Sequence, residues 1–447
     1  MRKVMKDLIR IAKTALIFML LNLITSCHKT DNDNPFGSGI NPFTNGGKER
    51  NMIVVISDLH LGADLAYSEC NKNLGALEKF LDKIRTAPDI KELVIAGDLL
   101  DEWFVPATVD TYKGKDQRDF VLRIAETNKG VITAFNNIIK DGKIKVTYVP
   151  GNHDLTITPE NVSAVLPGVN QVRDAQLGLG TYTPADNPLI AIEHGHRYNF
   201  FCAPDPVSNQ DIAPGTIMPP GYFFTRIGAL HVIQKLPPAG DTLRLVTANS
   251  SESESQNLLF VYWKVWQWAV NFLTITNKFD EKIIVTNVNG FTGNYSVNDI
   301  LPYQSTPGGV IDLDISKGIQ DNWEQREILN NVAVKIPTAQ AIANSASGPG
   351  TDDQAKTQYF LNPNSDKRIV IFGHTHMAMI SSSDNYKGQK SIYANSGTWI
   401  DSKQSGATRN FLVITPQSSD ESTFTLVKLY NYEDEVVTKM AQDSLRY

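Results

Sequence analysis

"VVISDLHLG", residues 54–62, is an apolar run that stops on an acid and a histidine one residue apart, Asp58 and His60. A strand has no need of either side chain at its end. The stretch therefore reads as a turn, since Asp favours local backbone hydrogen bonds, or as a metal site. What stands at the ends of the other strands decides between them. The first strand, "MIVVIS" (52–57), is followed by Leu74, Leu77, Leu81 and Ile84 at helical spacing and then by the apolar "ELVIAGD" (92–98), which makes a β-α-β unit. A second helical region, about Asp116 to Lys140, leads to "KIKVTYVPGNHD" (143–154), and "NPLIAIEHGH" (187–196) is a fourth strand. Continuous apolar strands alternating with helices predict an α/β sheet covered on both faces.

The rhythm breaks between about Tyr198 and Asp366, where Pro/Gly-rich loops surround the polar run "NSSESESQN" and the aromatic run "LLFVYWKVWQWAVNFL". It returns with "KRIVIFGHTH" (367–376), a buried strand. "KSIYANSGTW", "RNFLVIT" and "STFTLVKLYNY" follow, and their alternation predicts half-exposed antiparallel strands near the C-terminus. The middle is read as an insertion into one catalytic domain spanning residues 51–447, with a separate small domain as the other reading. Trp263, Trp266 and Trp268 have two readings: a helix packed on its own core, or contact with a membrane interface or an acyl substrate.

Five polar clusters now stand together: "SDLH", "AGDLLDEW", "PGNHD", "EHGH" and "FGHTH". Each lies at the C-terminal end of an apolar strand, where the loops of a parallel sheet converge on one crevice. Of the eight histidines only His28 and His231 lie outside these clusters. One such motif is weak, because "GD" or "HxH" arises often by chance. Five in this order on this scaffold are a strong signal.

With these residues in view, the chain resembles the calcineurin-like metallophosphoesterases over roughly residues 52 to 200 and 366 to 432, leaving an insertion at about 198–366 unmatched. The resemblance implies a four-layer α-β-β-α sandwich of two mixed sheets and a dinuclear metal site. By position, Asp58 and His60 would hold one metal together with His376; Asn152, His194 and His374 would hold the other; Asp98 would bridge both. Carboxylate, amide and neutral imidazole donors suit borderline dications such as Mn, Fe or Zn, and a bridging carboxylate can hold two of them about 3.5 to 4 Å apart. Such a pair lowers the pKa of bound water, so that hydroxide attacks phosphorus in line near neutral pH. In the family pattern His153 faces the phosphate and assists the leaving oxygen, and Asp101 pairs with it to fix its tautomer. Gly97, Gly151 and Gly373 would let the backbone approach the metals. His196 stands where some members have an acid, so it touches substrate, supports the site from behind, or only packs. Asp154 pins its loop, and "NSGTW" (395–399) supports the site.

The implied function is a dinuclear metal-dependent hydrolase of phosphoester bonds, whether phosphatase, phosphodiesterase or pyrophosphohydrolase. "GDLLDEWF" (97–104) is similar to the corresponding segment of the UDP-diacylglucosamine pyrophosphohydrolases, but "HGH" replaces their "HGD" and this chain carries an export leader, so the chemistry transfers and the substrate does not. The expected substrate class is a phosphorylated small molecule or a lipid-linked phosphate. The alternative is a non-catalytic metal-binding scaffold, which would be expected to lack a ligand or the phosphate-facing histidine; none is missing. An acyl or peptide hydrolase has no support, because no G-x-S-x-G elbow is present.

The leader has Arg2, Lys3, Lys6, Arg10 and Lys13 against Asp7 alone, then the apolar "ALIFMLLNLI" and "ITSC". The apolar run is short for a bilayer span and suits a signal peptide over residues 1–26. Small residues before Cys27 resemble a bacterial lipobox, which implies lipidation of Cys27 and a membrane-anchored lipoprotein on the periplasmic or cell-surface side. Each buried acyl methylene stabilises attachment by about 0.8 kcal/mol. Residues 27–50, polar and rich in Asn, Gly and Pro, read as a flexible tether, with order beginning near Asn51. Without the basic leader the body is more acidic than the whole chain's net charge of -6, which disfavours nucleic acid as the main partner. Lipidation of Cys27 would leave Cys70 and Cys202 as a disulfide or as two free thiols. Oligomeric state is open.

Overall fold

Alternate residues of the first strand serve two different cores. In the computed structural model, which describes residues 41–46, 49–234, 243–272, 279–346, 348–403, 406–417 and 424–446, Ile53 and Val55 face one apolar cluster and Met52, Val54 and Ile56 face another. This period of two follows from the pleat. Every position is apolar because both faces are covered.

Along the described residues the strands are β1 (Met52–Ile56), β2 (Ile90–Ala96), β3 (Lys145–Val149), β4 (Asn170–Gln171), β5 (Ile190–Ile192), β6 (Ile284–Val285), β7 (Asn294–Tyr295), β8 (Tyr303–Gln304), β9 (Ile311–Asp312), β10 (Ile369–Phe372), β11 (Met379–Asp384), β12 (Lys390–Asn395), β13 (Asn410–Thr415), β14 (Thr425–Glu433) and β15 (Val436–Leu445). A seven-stranded sheet runs in the order β15-β14-β13-β1-β2-β3-β4, and a four-stranded sheet in the order β11-β12-β10-β5. Both are mixed. β1 to β4 are parallel and β13 to β15 antiparallel in the first; β5, β10 and β12 are parallel in the second, with β11 antiparallel at its edge. The two sheets meet through Ile53, Val55 and Val94 on one side and Ile192, Ile369 and Ile371 on the other.

The helix Leu74–Thr86 follows β1 and buries Leu77, Phe80, Leu81 and Ile84. The second helical region is two helices, Gln117–Thr127 and Lys129–Asp141, joined at Asn128. The Asp116 side chain caps the first by accepting from Asp119 N. Within the insertion, the helices Gly221–Gln234 and Glu254–Phe272 and the two-stranded pairs β6-β7 and β8-β9 share one contiguous apolar cluster with the helical face of the large sheet. Tyr198 and Tyr359 pack their rings on Phe372, which carries the insertion onto the outer face of the small sheet.

Two expectations change. The strand β12, from "KSIYANSGTW", is buried rather than half-exposed, and is parallel to β10. It lies inside the small sheet, and β13 is likewise buried between β1 and β14; only β14 and β15 alternate. The chain also meets the fold before residue 51. Phe43 is 4% exposed, with its ring against Phe80 and Phe411, and Thr44 Oγ1 donates to Asp89 Oδ2 at 2.6 Å. Of the two readings left open for Cys70 and Cys202, the structure has free thiols. Trp263 and Trp266 are each 2% exposed, so those two rings pack on the protein's own core. The signal peptide, Cys27 and most of the tether lie outside the described residues. No described helix is long and apolar enough to cross a membrane.

Candidate metal centre

The chain turns abruptly where β1, β2 and β10 end. Asp58, His60, Asp98, His374 and His376 all have positive φ, at 54°, 48°, 53°, 68° and 59°. A side chain in this left-handed region costs on the order of 1 kcal/mol, and such residues persist where the surroundings over-determine them. Here cross-strand bonds do so. Asp58 N donates to Gly97 O at 3.0 Å, Leu59 N and His60 N donate to Asp98 O at 2.9 Å each, and Trp399 N donates to Asp58 O at 3.0 Å. The loops are thereby tied to one another.

The side chains converge. Asp58 Oδ1 lies 3.2 Å from His376 Nε2, and His60 Nε2 lies 3.2 Å from the same nitrogen. Asp98 Oδ2 lies 3.1 Å from His194 Nε2 and 3.6 Å from His60 Nε2. Asn152 Oδ1 lies 3.2 Å from His194 Nε2 and 2.8 Å from His374 Nδ1. Three groups of side chains have metal-ligand spacing among the described residues: Asp58–His60–His376 and Asp58–Asp98–His194, which share Asp58, and His60–Glu69–Asp101–His153 behind His60. Of the seven expected ligands, Asp58, His60, Asp98, His194 and His376 fall in these groups, and Asn152 and His374 adjoin them through His194 and each other. Asp98 reaches histidines of both groups that share Asp58, and Asp58 does so as well, at 4.0 Å from both His60 Nε2 and His194 Nε2.

The donor set fits borderline dications: two buried carboxylates, one amide oxygen and four imidazoles, with several ring nitrogens oriented for ligation by a partner on the opposite nitrogen. His194 Nδ1 donates to Ala96 O at 2.8 Å, which leaves Nε2 facing the carboxylates. His60 Nδ1 faces Asp101 Oδ2 at 2.9 Å and Glu69 Oε2 at 3.3 Å, with the same consequence for its Nε2. Glycines make the crowding feasible. A Cβ on Gly151 would meet Asp98 Oδ1 at 2.1 Å, and one on Gly97 would meet His194 Nδ1 at 2.2 Å.

Charge in the site is balanced between carboxylates and imidazoles. Burial pushes the Asp98 carboxyl up, but the charges of His194, His153 and His60 hold it well below the usual range. Asp58 is lowered by the same opposition, with His376 and His194 outweighing burial. Burial pulls His194 down, but Asp98 and Asp58 hold it up to about 9. His60 is held well above its ordinary value against burial by Glu69, Asp101 and Asp98. His374, by contrast, is pushed down to about 3 by burial and by the charge of His194. The site draws positive charge into a buried pocket of acids, as a cation site must.

His153 lies beside this cluster. Its Nδ1 is 2.8 Å from Asp101 Oδ1, and its backbone N donates to Asp98 Oδ1 at 2.8 Å. Asp154 takes bonds from Gly151 N at 2.6 Å and Leu99 N at 2.8 Å, pinning the loop. His196 is 2% exposed, its ring 5.3 Å from that of His194, and neither of its ring nitrogens has a hydrogen-bond partner.

Ser57, Asp352 and Lys403 support the site and carried no legible signal. Ser57 Oγ donates to Asp58 Oδ2 and lies 2.6 Å from Ser396 Oγ. Asp352, from the insertion, accepts from Thr375 Oγ1 at 2.9 Å, from the Tyr393 hydroxyl, and from Asn395 Nδ2 at 3.0 Å. Asn395 Nδ2 also donates to Gly373 O at 2.7 Å. The loop bearing His374 and His376 is thus anchored by a carboxylate 20-odd positions upstream, which no spacing rule would have found. Lys403 Nζ donates to His376 O at 2.7 Å.

Residues 52–216 match the family model described as calcineurin-like phosphoesterase. No curated protein matches the chain. Among solved structures, the crystal structure of the Pseudomonas putida nuclease MPE is similar at 18% identity, over 32% of this chain and 53% of that one, with a TM-score of 0.20. The match spans about half the length of that neighbour.

Proposed function

We propose that this protein is a hydrolase of phosphoester bonds that works with two adjacent divalent cations. The observation that carries the reading is that Asp58, His60, Asp98, His194 and His376 form two donor groups that share a carboxylate, with Asn152 and His374 alongside, all drawn from five separated strand ends. The match of residues 52–216 to the calcineurin-like phosphoesterases supports it. Bound there, the cations would supply Lewis-acid polarisation of a phosphoryl group and an activated water.

The chain's own groups do the rest. His153 presents Nε2 to the substrate side while Asp101 holds Nδ1, so the imidazole donates a proton to the leaving oxygen. Burial lowers its pKa, but Asp101 and Asp98 outweigh that and raise it, which favours the protonated ring that a donor needs. His196 is buried beside His194 and acts from behind the ligands rather than on substrate. The substrate is a phosphorylated small molecule or a lipid-linked phosphate, with selectivity in the insertion, and Cys27 anchors the exported protein to a membrane.

Purified protein should hydrolyse a generic aryl phosphomonoester or phosphodiester with Mn²⁺, and a chelator should stop it. No turnover of either class with Mn²⁺, Zn²⁺ or Fe²⁺ would leave a metal-binding scaffold as the better account. Cys27→Ser should release the protein from membranes; unchanged attachment would remove the lipid anchor from the proposal.

A further inference from the structure

We propose that Trp103 is a positioning residue for His153, and that the insertion helix Gly221–Gln234 fixes Trp103 in place. The inference rests on the phosphoester reading for its kinetic consequence but not for its geometry. The Trp103 indole stacks on the His153 imidazole, with ring centroids 5.0 Å apart and planes at 29°. It is fully buried. On another side the His60 ring meets His153 edge-on, at 4.5 Å and 87°.

A hydrogen bond to Nδ1 leaves an imidazole free to pivot about that contact. A flat ring against its face removes the pivot, and offset-stacked aromatic pairs add to the stability of the arrangement. Backbone and side chain act together here. Trp103 N and Phe104 N donate to Asp101 Oδ1 at 3.0 and 2.7 Å, the same oxygen that faces His153 Nδ1. Glu102 N donates to His153 O at 3.1 Å. The segment that orients His153 electrostatically also packs against it.

That segment is held from the insertion. Tyr222 sets its ring edge on Trp103, at 6.1 Å and 76°. Its hydroxyl accepts from Arg226 Nη1 at 2.6 Å and lies 2.7 Å from Thr286 Oγ1. Arg226 is fully buried and donates to main-chain carbonyls: Nε to Val105 O at 2.6 Å, and Nη2 to Pro106 O at 3.1 Å and Val285 O at 3.0 Å. Ala107 N donates back to Arg226 O at 2.9 Å, and Val285 N to Ala107 O at 2.8 Å. One guanidinium therefore staples the loop after Trp103 to two parts of the insertion. The insertion is in this way a structural partner of the leaving-group side of the site, and a change in it is transmitted through Arg226 and Tyr222 to Trp103 and then to His153.

The test compares wild type with Trp103→Ala, Trp103→Phe and Arg226→Lys. With an aryl phosphoester and Mn²⁺, Trp103→Ala should lower kcat by roughly 10- to 100-fold with KM within about twofold, since small misplacements of a reacting group cost up to this much. Trp103→Phe should restore most of that loss, and Arg226→Lys should lower kcat in the same sense by a smaller factor. Two readouts do not need turnover. Mn²⁺ affinity by calorimetry should be unchanged, and the His153 ring signals in the NMR spectrum of the metal-free protein should lose their ring-current shift in Trp103→Ala and keep part of it in Trp103→Phe. His153 signals that do not move, or kcat falling together with metal affinity in Trp103→Phe and Arg226→Lys, would overturn the proposal. If wild type turns over no phosphoester, the functional reading fails, while the NMR comparison still decides whether Trp103 sets the position of His153.

Discussion

His60 and His153 are joined by one carboxylate. Asp101 Oδ2 lies 2.9 Å from His60 Nδ1, and Asp101 Oδ1 lies 2.8 Å from His153 Nδ1. The imidazole assigned to a cation and the imidazole assigned to the leaving oxygen thus share a single orienting group, held below its ordinary pKa because the two histidines outweigh its burial.

Asp101→Asn should damage both functions at once. One amide edge can still accept, but the other would present N–H groups to an imidazole that needs an acceptor. Metal affinity should fall about 10- to 100-fold, as for partners of metal-bound histidines, and kcat by about 10²- to 10⁴-fold, as for disabled general acids. Calorimetric Mn²⁺ titration and steady-state kinetics check this; metal affinity equal to wild type would separate Asp101 from His60.

Cation binding should release protons. Burial pulls His194 down, but Asp98 and Asp58 hold it up to about 9, and His60 is likewise held well above its ordinary value. Both nitrogens must be deprotonated to ligate, so apparent affinity should rise with pH up to about 9, by as much as tenfold per unit for each proton displaced. Titrations at pH 6, 7 and 8 in buffers of different ionisation enthalpy measure it. An affinity that is flat across this range would contradict the electrostatic account.

Asp352 should give stability a specific pH dependence. Burial pushes its carboxyl from 3.8 up to about 6, despite bonds from Tyr393, Thr375 and Asn395. An acid with a raised native pKa favours folding below its unfolded pKa and loses that contribution as pH rises through the native value. The loss should fall between about pH 4 and 6 and amount to about 3 kcal/mol, from about 1.4 kcal/mol per pKa unit. Urea unfolding of the metal-free protein should show this drop in wild type and not in Asp352→Asn; parallel curves would refute it.

Phe43→Ala should destabilise the whole domain. The side chain is 4% exposed and packs on Phe80 and Phe411, beneath the large sheet. Truncating a buried Phe costs about 3 kcal/mol or more. The urea midpoint should fall with an unchanged slope; no shift would mean that the segment before residue 51 is only loosely attached.

Local pattern was enough for most elements and for the polar residues at the strand ends. The helix Leu74–Thr86, the parallel strands β1, β2, β3, β5 and β10, and the polar residues at their C-terminal ends are all legible, because helical and strand periodicity and the acid or histidine that interrupts an apolar run are properties of neighbouring residues. Relations between distant segments were not. That Asp58 stands in two donor groups at once, that Asp352 anchors the His374 loop, that Trp103 lies on His153, and that β12 is interior and parallel to β10 depend on which strand ends and loops come to lie side by side. Sequence by itself determined which acids, amides and histidines stand at the ends of the parallel strands. Only the tertiary structure decided which of them touch, because contact between residues hundreds of positions apart is set by sheet order and packing, for which a linear pattern carries no period.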